Sequence, residues 1–175
     1  MYLGMVLFIV SEVFLFGSLF LVYYYLRTES PVWPPAGIHL DIVLAGINTF
    51  ILLFSSVVMW KSVRYIRAGN EKGLTGGLSL VIFLGAAFLG ITIFEWIHED
   101  FRPWTSAYGS IFYTMTGFHA LHVLGGILML AALLGRNVRH RFSSTRYLAI
   151  EVGALYWHFV DLIWILVFTT IFIIR

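Results

Sequence analysis

The sequence of 175 residues contains no cysteine and little charge. The absence of cysteine excludes disulfides, thiolate zinc sites, iron–sulfur clusters and cysteine nucleophiles, so a metal would need histidine and carboxylate ligands. Only 11% of the residues are charged and the net charge is +2, a field too weak to favour nucleic acid as a partner. The sequence also lacks a phosphate-binding glycine loop, a nucleophile elbow, an HExxH zinc pair and a dinucleotide-binding glycine motif. We therefore expect no active site in this chain.

Long apolar runs are what the sequence has in abundance. Hydrophobic residues make up 60% of the chain, and about 20 apolar residues suffice to span a bilayer. Five runs are long enough, at about 1–26, 42–60, 78–97, 110–134 and 148–174. They predict an all-α integral membrane protein, a bundle of five transmembrane helices in one membrane domain, 1–175. Because the first run carries Glu12 in its middle and lacks a basic leader, we interpret it as a helix of the mature protein, not a signal peptide.

Basic residues are concentrated in two of the four connections between these runs. The second connection has Lys61, Arg64, Arg67 and Lys72, and the fourth has Arg136, Arg139, Arg141 and Arg146. Since cytoplasmic loops of membrane proteins are enriched in lysine and arginine, we expect the N-terminus inside and the C-terminus outside. Arginines at the headgroup level also bind lipid phosphates. Topology and lipid binding are both open interpretations of these basic residues.

One carboxylate lies in the middle of a predicted span. An ionisable side chain near the bilayer centre costs roughly 2.5–3.5 kcal/mol on insertion scales, so Glu12 needs a partner or a function. One interpretation is a neutral carboxyl that is hydrogen-bonded to another helix, because burial without a cation disfavours the charged form. The other is a role in proton transfer or in gating a lipid cavity. The sequence is compatible with both.

Histidines and carboxylates form polar stripes on the last two spans. His119 and His122 are three residues apart and share one face of the fourth helix. Glu151, His158 and Asp161 form a second stripe on the fifth helix. These stripes predict an interhelical hydrogen-bond network of His119, His122, His158 and Asp161. The alternative is a carboxylate–histidine metal site, or a haem held by one histidine from each helix, although neither helix has the Glu-x-x-His pair typical of di-iron bundles.

Five short motifs along the chain are informative as a set. They are SEV at 11–13, WPPAGIH at 33–39, YGSIFY at 108–113, TGFHALHV at 116–123 and YWHFVD at 156–161. In order and spacing they resemble subunit III of haem–copper cytochrome c oxidases, over essentially the whole chain. The longest members of that family begin with two further helices, so the chain resembles the short five-helix bacterial type.

The resemblance implies an accessory subunit that binds no redox cofactor itself and packs against the catalytic subunit I. Haem and copper would then be held by the partner subunits I and II. It also implies support for proton uptake and for stability during turnover, with phospholipid bound at Arg136 and Arg139. Glu12 matches the family's buried carboxylate. The family's polar motifs are matched by His119, His122, His158 and Asp161.

The resemblance also implies a place in aerobic respiration. We expect a multi-pass protein of the bacterial plasma membrane, in a complex that takes electrons from cytochrome c. A quinol is the alternative donor, because short members also occur in quinol oxidases and similar subunits accompany nitric oxide reductases. A more distant alternative is an independent proton-coupled carrier using Glu12, His119 and Asp161, but neither paired helix breaks nor an inverted repeat is present. A haem-binding membrane protein is the third hypothesis.

Overall fold

Five long helices make up the fold. A computed structural model describes residues 2–38 and 40–174, so His39 of the WPPAGIH motif lies outside the described residues. The helices are α1 (Tyr2–Glu29), α2 (Ile42–Arg67), α3 (Glu71–His98), α4 (Ala107–Val138) and α5 (Leu148–Phe168), and α5 continues as a π-helical segment, Thr169–Ile174. No β-strand occurs within the described ranges. All five helices are long and apolar enough to cross a bilayer, which confirms the prediction of an all-α bundle.

Most helices extend beyond the predicted apolar runs. The second helix continues to Arg67 instead of ending near residue 60, and the third begins at Glu71 instead of 78. The fourth extends from 107 to 138 where 110–134 was expected, and the first reaches Glu29. Hydropathy marks only the part of a helix inside the hydrocarbon, whereas backbone hydrogen bonding continues into the headgroup region. Arg64, Arg67 and Arg136 therefore lie on the last turns of helices and not in connections.

Side-chain caps fix the N-terminal ends of three helices. The Asp41 carboxylate accepts hydrogen bonds from the backbone N–H groups of Val43 and Leu44 at the start of α2. Asn70 caps α3 and Ser106 caps α4, each by accepting from the N–H three residues later. Such caps satisfy N–H groups that have no partner within the helix. The helix starts are therefore set by these polar residues: Asp41 directly precedes its apolar run, whereas Asn70 and Ser106 lie several positions before theirs.

The helices are packed unequally. The α2–α3 pair is the most extensive, and α3–α4, α2–α5 and α4–α5 complete a four-helix core. The first helix packs mainly on α4 and α5, and large apolar side chains such as Leu3, Leu7 and Phe14 on it are exposed. The fifth helix is the most buried of the five. The bundle thus has α5 at its centre and α1 attached at one side.

A single tryptophan of α5 contacts the other three core helices. Trp157 is fully buried, and its indole N–H donates to Ser55 Oγ on α2 at 2.9 Å. A Cβ atom placed on Gly85 of α3 or on Gly126 of α4 would lie 2.8 Å from the Trp157 ring. Small residues let transmembrane helices approach closely. Here the two glycines make room for one large side chain at the point where four helices meet.

Further polar contacts join α2 to its neighbours. Trp164 donates its indole N–H to Thr49 Oγ1 at 2.9 Å. The side-chain amide of Asn48 donates to Thr92 Oγ1 at 3.1 Å and to the Phe88 carbonyl oxygen at 3.3 Å, both on α3. Interhelical hydrogen bonds of this kind contribute about 0.6 kcal/mol each on average in membrane proteins. These hydrogen bonds help to fix the relative orientation of the helices in a core that is otherwise held by the packing of apolar side chains.

Candidate functional site

The carboxylate in the first helix has a histidine partner on the fourth. Glu12 Oε2 lies 2.9 Å from His122 Nε2, and the two side chains are only 13% and 14% exposed. Phe16 covers the imidazole, with the ring centroids 5.1 Å apart in an edge-to-face arrangement. The Glu12–His122 pair therefore lies in a partly enclosed position between α1 and α4.

The second nitrogen of this histidine constrains the protons of the pair. His122 Nδ1 lies 2.7 Å from the Phe118 carbonyl oxygen, which can only accept a hydrogen bond, so Nδ1 carries a proton. The contact between Nε2 and the Glu12 carboxyl then needs one shared proton. The pair is either glutamic acid with neutral imidazole or carboxylate with imidazolium, and it has no net charge in either form. A neutral pair is much less costly in a bilayer than an isolated carboxylate.

Two more side chains of α1 hold it to the end of the fifth helix. The Tyr23 hydroxyl donates to the Thr170 carbonyl oxygen at 3.1 Å. The Arg27 guanidinium donates to the Ile174 carbonyl oxygen, also at 3.1 Å. Both acceptors lie in the π-helical segment. The helix that carries Glu12 is therefore held by polar contacts at two levels.

The other histidine of α4 points elsewhere. His119 is fully buried, between Phe88 at 5.6 Å and Trp164 at 4.8 Å between ring centroids. Neither of its ring nitrogens has a hydrogen-bond partner among the described residues. Residues three apart on a helix differ by about 60° in direction. That angle is enough for His122 to face α1 while His119 faces α3 and α5.

The stripe on α5 contacts α2. His158 Nδ1 lies 2.6 Å from the Ser56 hydroxyl, and the buried Asp161 carboxyl is 4.0 Å from the same nitrogen. The four histidine and carboxylate residues expected to form one network thus occupy three places: His122 beside α1, His119 in the core, and His158 with Asp161 beside Ser56. Across the described residues, no three His, Asp or Glu side chains are grouped so that they could hold a metal ion.

The two arginines expected to meet lipid lie at the end of α4. Arg136 and Arg139 are both exposed, and the Arg136 guanidinium lies 5.1 Å from the ring centroid of the buried Phe142. A cation on an aromatic face keeps its N–H edge available for an anion. The donor set suits the phosphate group of a phospholipid.

Carboxylates gather at the opposite end of the bundle. Asp41 precedes α2, Glu95 lies near the end of α3, and Glu99 and Asp100 follow it. Glu95 is buried and its Oε1 atom has no hydrogen-bond partner in the described part of the chain. Burial, and then the charges of Asp100 and Asp41, raise the pKa of Glu99 to about 7. Ionising Glu99 therefore costs more in the folded chain than in the unfolded chain.

This shift predicts a pH-dependent stability. Because the folded pKa of Glu99 lies above its ordinary value of 4.5, its effect on stability is absent below about pH 4.5, grows more unfavourable between about pH 4.5 and 7, and stays constant above that range. Glu99→Gln should raise the stability at pH 8 by about 1 kcal/mol, after allowance for solvent screening. Thermal unfolding in detergent at pH 4 and pH 8 checks this, with the exposed Glu29→Gln as control. A variant no more stable than wild type at pH 8 contradicts it.

The comparisons with known proteins identify the family of this chain. The five membrane-crossing helices define a multi-pass helical membrane protein, and the family model "Cytochrome c oxidase subunit III" matches residues 1–174. Cytochrome c oxidase subunit 3 of Synechocystis sp. is 37% identical over 98% of this chain and 74% of its own length. The proteins of the same name from Thermostichus vulcanus and Anopheles gambiae are 35% and 38% identical, over 98% and 97% of this chain and 86% and 67% of their own lengths.

The chain belongs to the cytochrome c oxidase subunit III family, and it is therefore a subunit of a haem–copper oxidase that associates with other oxidase subunits. The resemblance found in the sequence motifs is confirmed. The two cyanobacterial relatives are consistent with a location in a bacterial plasma membrane.

Proposed function

We propose that the chain is the non-redox accessory subunit of a proton-pumping terminal oxidase in aerobic respiration, where it packs against subunit I and supports proton uptake and stability during turnover. The Glu12–His122 pair carries this proposal. It holds one shared proton at a contact of 2.9 Å on α1, the helix with the least packing inside the chain. The shared proton can move between Glu12 and His122 without changing the net charge of the pair, whereas release to another group leaves one negative charge until a proton is taken up again.

The exposed faces of α1 support association with another subunit. Val13, Phe14 and Leu21 on this helix are 52%, 76% and 73% exposed. An apolar helix face is compatible with either lipid or a protein partner in a membrane. A partner helix of subunit I against α1 would place its own proton-carrying groups near Glu12.

Phospholipid is the second element of the proposal. The exposed guanidiniums of Arg136 and Arg139 provide charge and N–H donors at the headgroup level, where each cation contributes about 1 kcal/mol with anionic lipid. Lipid held there would fill the space between this chain and its neighbours.

We propose cytochrome c as the electron donor to the complex, with a quinol as the alternative. Oxygen uptake by the purified complex, recorded separately on reduced cytochrome c and on a quinol, tests this. We expect the higher rate with cytochrome c. A rate supported by quinol alone would assign the complex to the quinol oxidases.

We also propose that the N-terminus lies inside and the C-terminus outside. Lys61, Arg64, Arg67, Lys72, Arg136, Arg139, Arg141 and Arg146 lie at one end of the bundle, whereas Asp41, Glu95, Glu99 and Asp100 lie at the other. An excess of lysine and arginine marks the cytoplasmic side.

The absence of cysteine makes this orientation easy to test. Single cysteines are introduced by Val32→Cys, between α1 and α2, and by Ser144→Cys, between α4 and α5; both positions are exposed. A membrane-impermeant maleimide added to intact cells without an outer barrier should label only the first variant. Lysed cells, in which both variants should react, are the control. Labelling of the second variant alone in intact cells means the opposite orientation.

A further inference from the structure

A cavity of about 390 Å³ lies between the start of α1, the end of α2 and the start of α5. Its polar lining comes from three helices: Tyr2 of α1, Arg64 and Arg67 of α2, and Glu151 and His158 of α5. Its lining residues do not include Arg136 or Arg139, which lie at the end of α4. Nothing in the Glu12–His122 pair or in the core packing accounts for this cavity.

The charges around the cavity leave one positive charge without a partner. Arg67 is paired with Glu151, with Nε donating to Oε1 at 3.1 Å and a second guanidinium nitrogen contacting the same oxygen. Arg64 forms no ion pair within the described part of the chain; its guanidinium carbon lies 3.7 Å from the ring centroid of Trp60. Two guanidiniums and one carboxylate give a net charge of +1. A phosphodiester carries one negative charge and accepts hydrogen bonds from guanidinium N–H groups.

The cavity also has depth and an apolar wall. Glu151 and His158 are seven residues apart on α5, which places them about 10 Å apart along the helix axis. Ala154 and Leu155 line the wall between them. At the deep end, His158 uses Nδ1 for its contact with Ser56, and its side chain is 38% exposed. The second ring nitrogen is therefore available for a polar group that enters below the charged opening.

We propose that this cavity binds an anionic phospholipid with one phosphodiester, such as phosphatidylglycerol. The phosphate lies between Arg64 and Arg67, the glycerol esters reach toward His158, and the acyl chains follow the apolar wall. The proposal rests on lipid binding by this chain as proposed above, but it uses other residues. A zwitterionic choline lipid fits less well, because its cationic headgroup would meet a cavity that is already positive.

The test is native mass spectrometry of the full tagged chain, with whatever subunits accompany it, in mixed micelles of detergent and dioleoyl phosphatidylglycerol. Arg64→Gln with Arg67→Gln should weaken retention of this lipid about tenfold or more, as expected for two cations near a lipid phosphate. The matched control, Arg136→Gln with Arg139→Gln, leaves this site intact and should retain the lipid bound there. Lipid retention is measured on the mass of this chain. Loss of the other subunits can therefore be distinguished from loss of lipid at this cavity.

A third variant and a competing anion distinguish the proposal from two alternatives, a structural role of the Arg67–Glu151 pair and a site for free phosphate. Glu151→Gln raises the net charge of the cavity to +2 and should bind the lipid at least as tightly as wild type, whereas a purely structural role of the Arg67–Glu151 pair predicts loss. Inorganic phosphate at millimolar concentration should not displace the lipid; displacement would mean a site for free phosphate.

Unchanged retention in the Arg64/Arg67 variant, or loss only in the Arg136/Arg139 variant, overturns the proposal. If the Arg64/Arg67 variant does not fold, loss in Glu151→Gln overturns it.

Discussion

Trp157→Ala is expected to lower the free energy of unfolding by about 3–5 kcal/mol, the range for removing a large buried aromatic side chain. The indole fills the space that Gly85 and Gly126 leave and donates to Ser55 Oγ. Its loss creates a cavity where α2, α3, α4 and α5 meet, and it leaves the Ser55 hydroxyl without this donor. Thermal unfolding of the purified protein in detergent measures the effect.

Two controls make this prediction specific. Trp104 is 83% exposed, and Trp104→Ala should change stability by less than about 0.5 kcal/mol, as surface substitutions do. Gly126→Ala tests the same contact from α4, because its Cβ would meet the Trp157 ring at 2.8 Å, whereas a Cβ on the adjacent Gly125 meets nothing closer than 3.6 Å. Gly126→Ala should be destabilising and Gly125→Ala close to neutral. Equal stability of the two glycine variants would contradict the role given to Trp157.

The second large effect concerns Glu12, where the chemical nature of the substitution decides the outcome. Glu12→Gln keeps a hydrogen bond, because an amide N–H can donate to His122 Nε2 while Nδ1 still donates to the Phe118 carbonyl oxygen. We therefore expect assembly with the other subunits to be nearly intact. Glu12→Leu leaves Nε2 without a partner in a partly enclosed position and should cost about 1–3 kcal/mol.

The two variants should also differ in function. An amide has no acidic proton to release, so Glu12→Gln should slow proton uptake and oxygen consumption, while the amount of assembled complex stays near that of wild type. Glu12→Leu should lower both. Subunit content is measured on the purified complex, beside the rate. Loss of the subunit in Glu12→Gln to the same extent as in Glu12→Leu would mean that the charged carboxylate is structurally required, which would contradict the form with glutamic acid and neutral imidazole.

The helices could be predicted from the sequence because a bilayer demands long apolar runs. Their ends could not, because caps such as Asn70 and Ser106 lie in polar sequence several residues before the apolar run begins. Because the helices extend beyond the apolar runs, arginines that the sequence places in connections lie within helices. Arg64 and Arg67 are on the last turns of α2 and not in a flexible connection, and Arg67 contacts Glu151 of α5.

The residues of the candidate site could be predicted from the sequence, but the contacts between them could not. Glu12 could be recognised because it is a carboxylate in an apolar run, and His122 because it shares a face with His119. Helical periodicity gives directions around one helix, but it does not specify which neighbour lies in each direction. The contacts of Trp157 and Trp164 with Ser55 and Thr49 were missed for the same reason. A tryptophan in the middle of a span, whose N–H needs an acceptor, was the available signal.

The most direct test of the central claim is purification in mild detergent through a tag on this chain, with an optical spectrum and oxygen uptake recorded on the product. As a haem–copper oxidase subunit, the chain should bring with it haem-containing subunits, an oxidase spectrum and oxygen consumption with reduced cytochrome c. A chain that comes away alone and colourless, from membranes shown to retain intact oxidase, would contradict the account and favour an independent carrier.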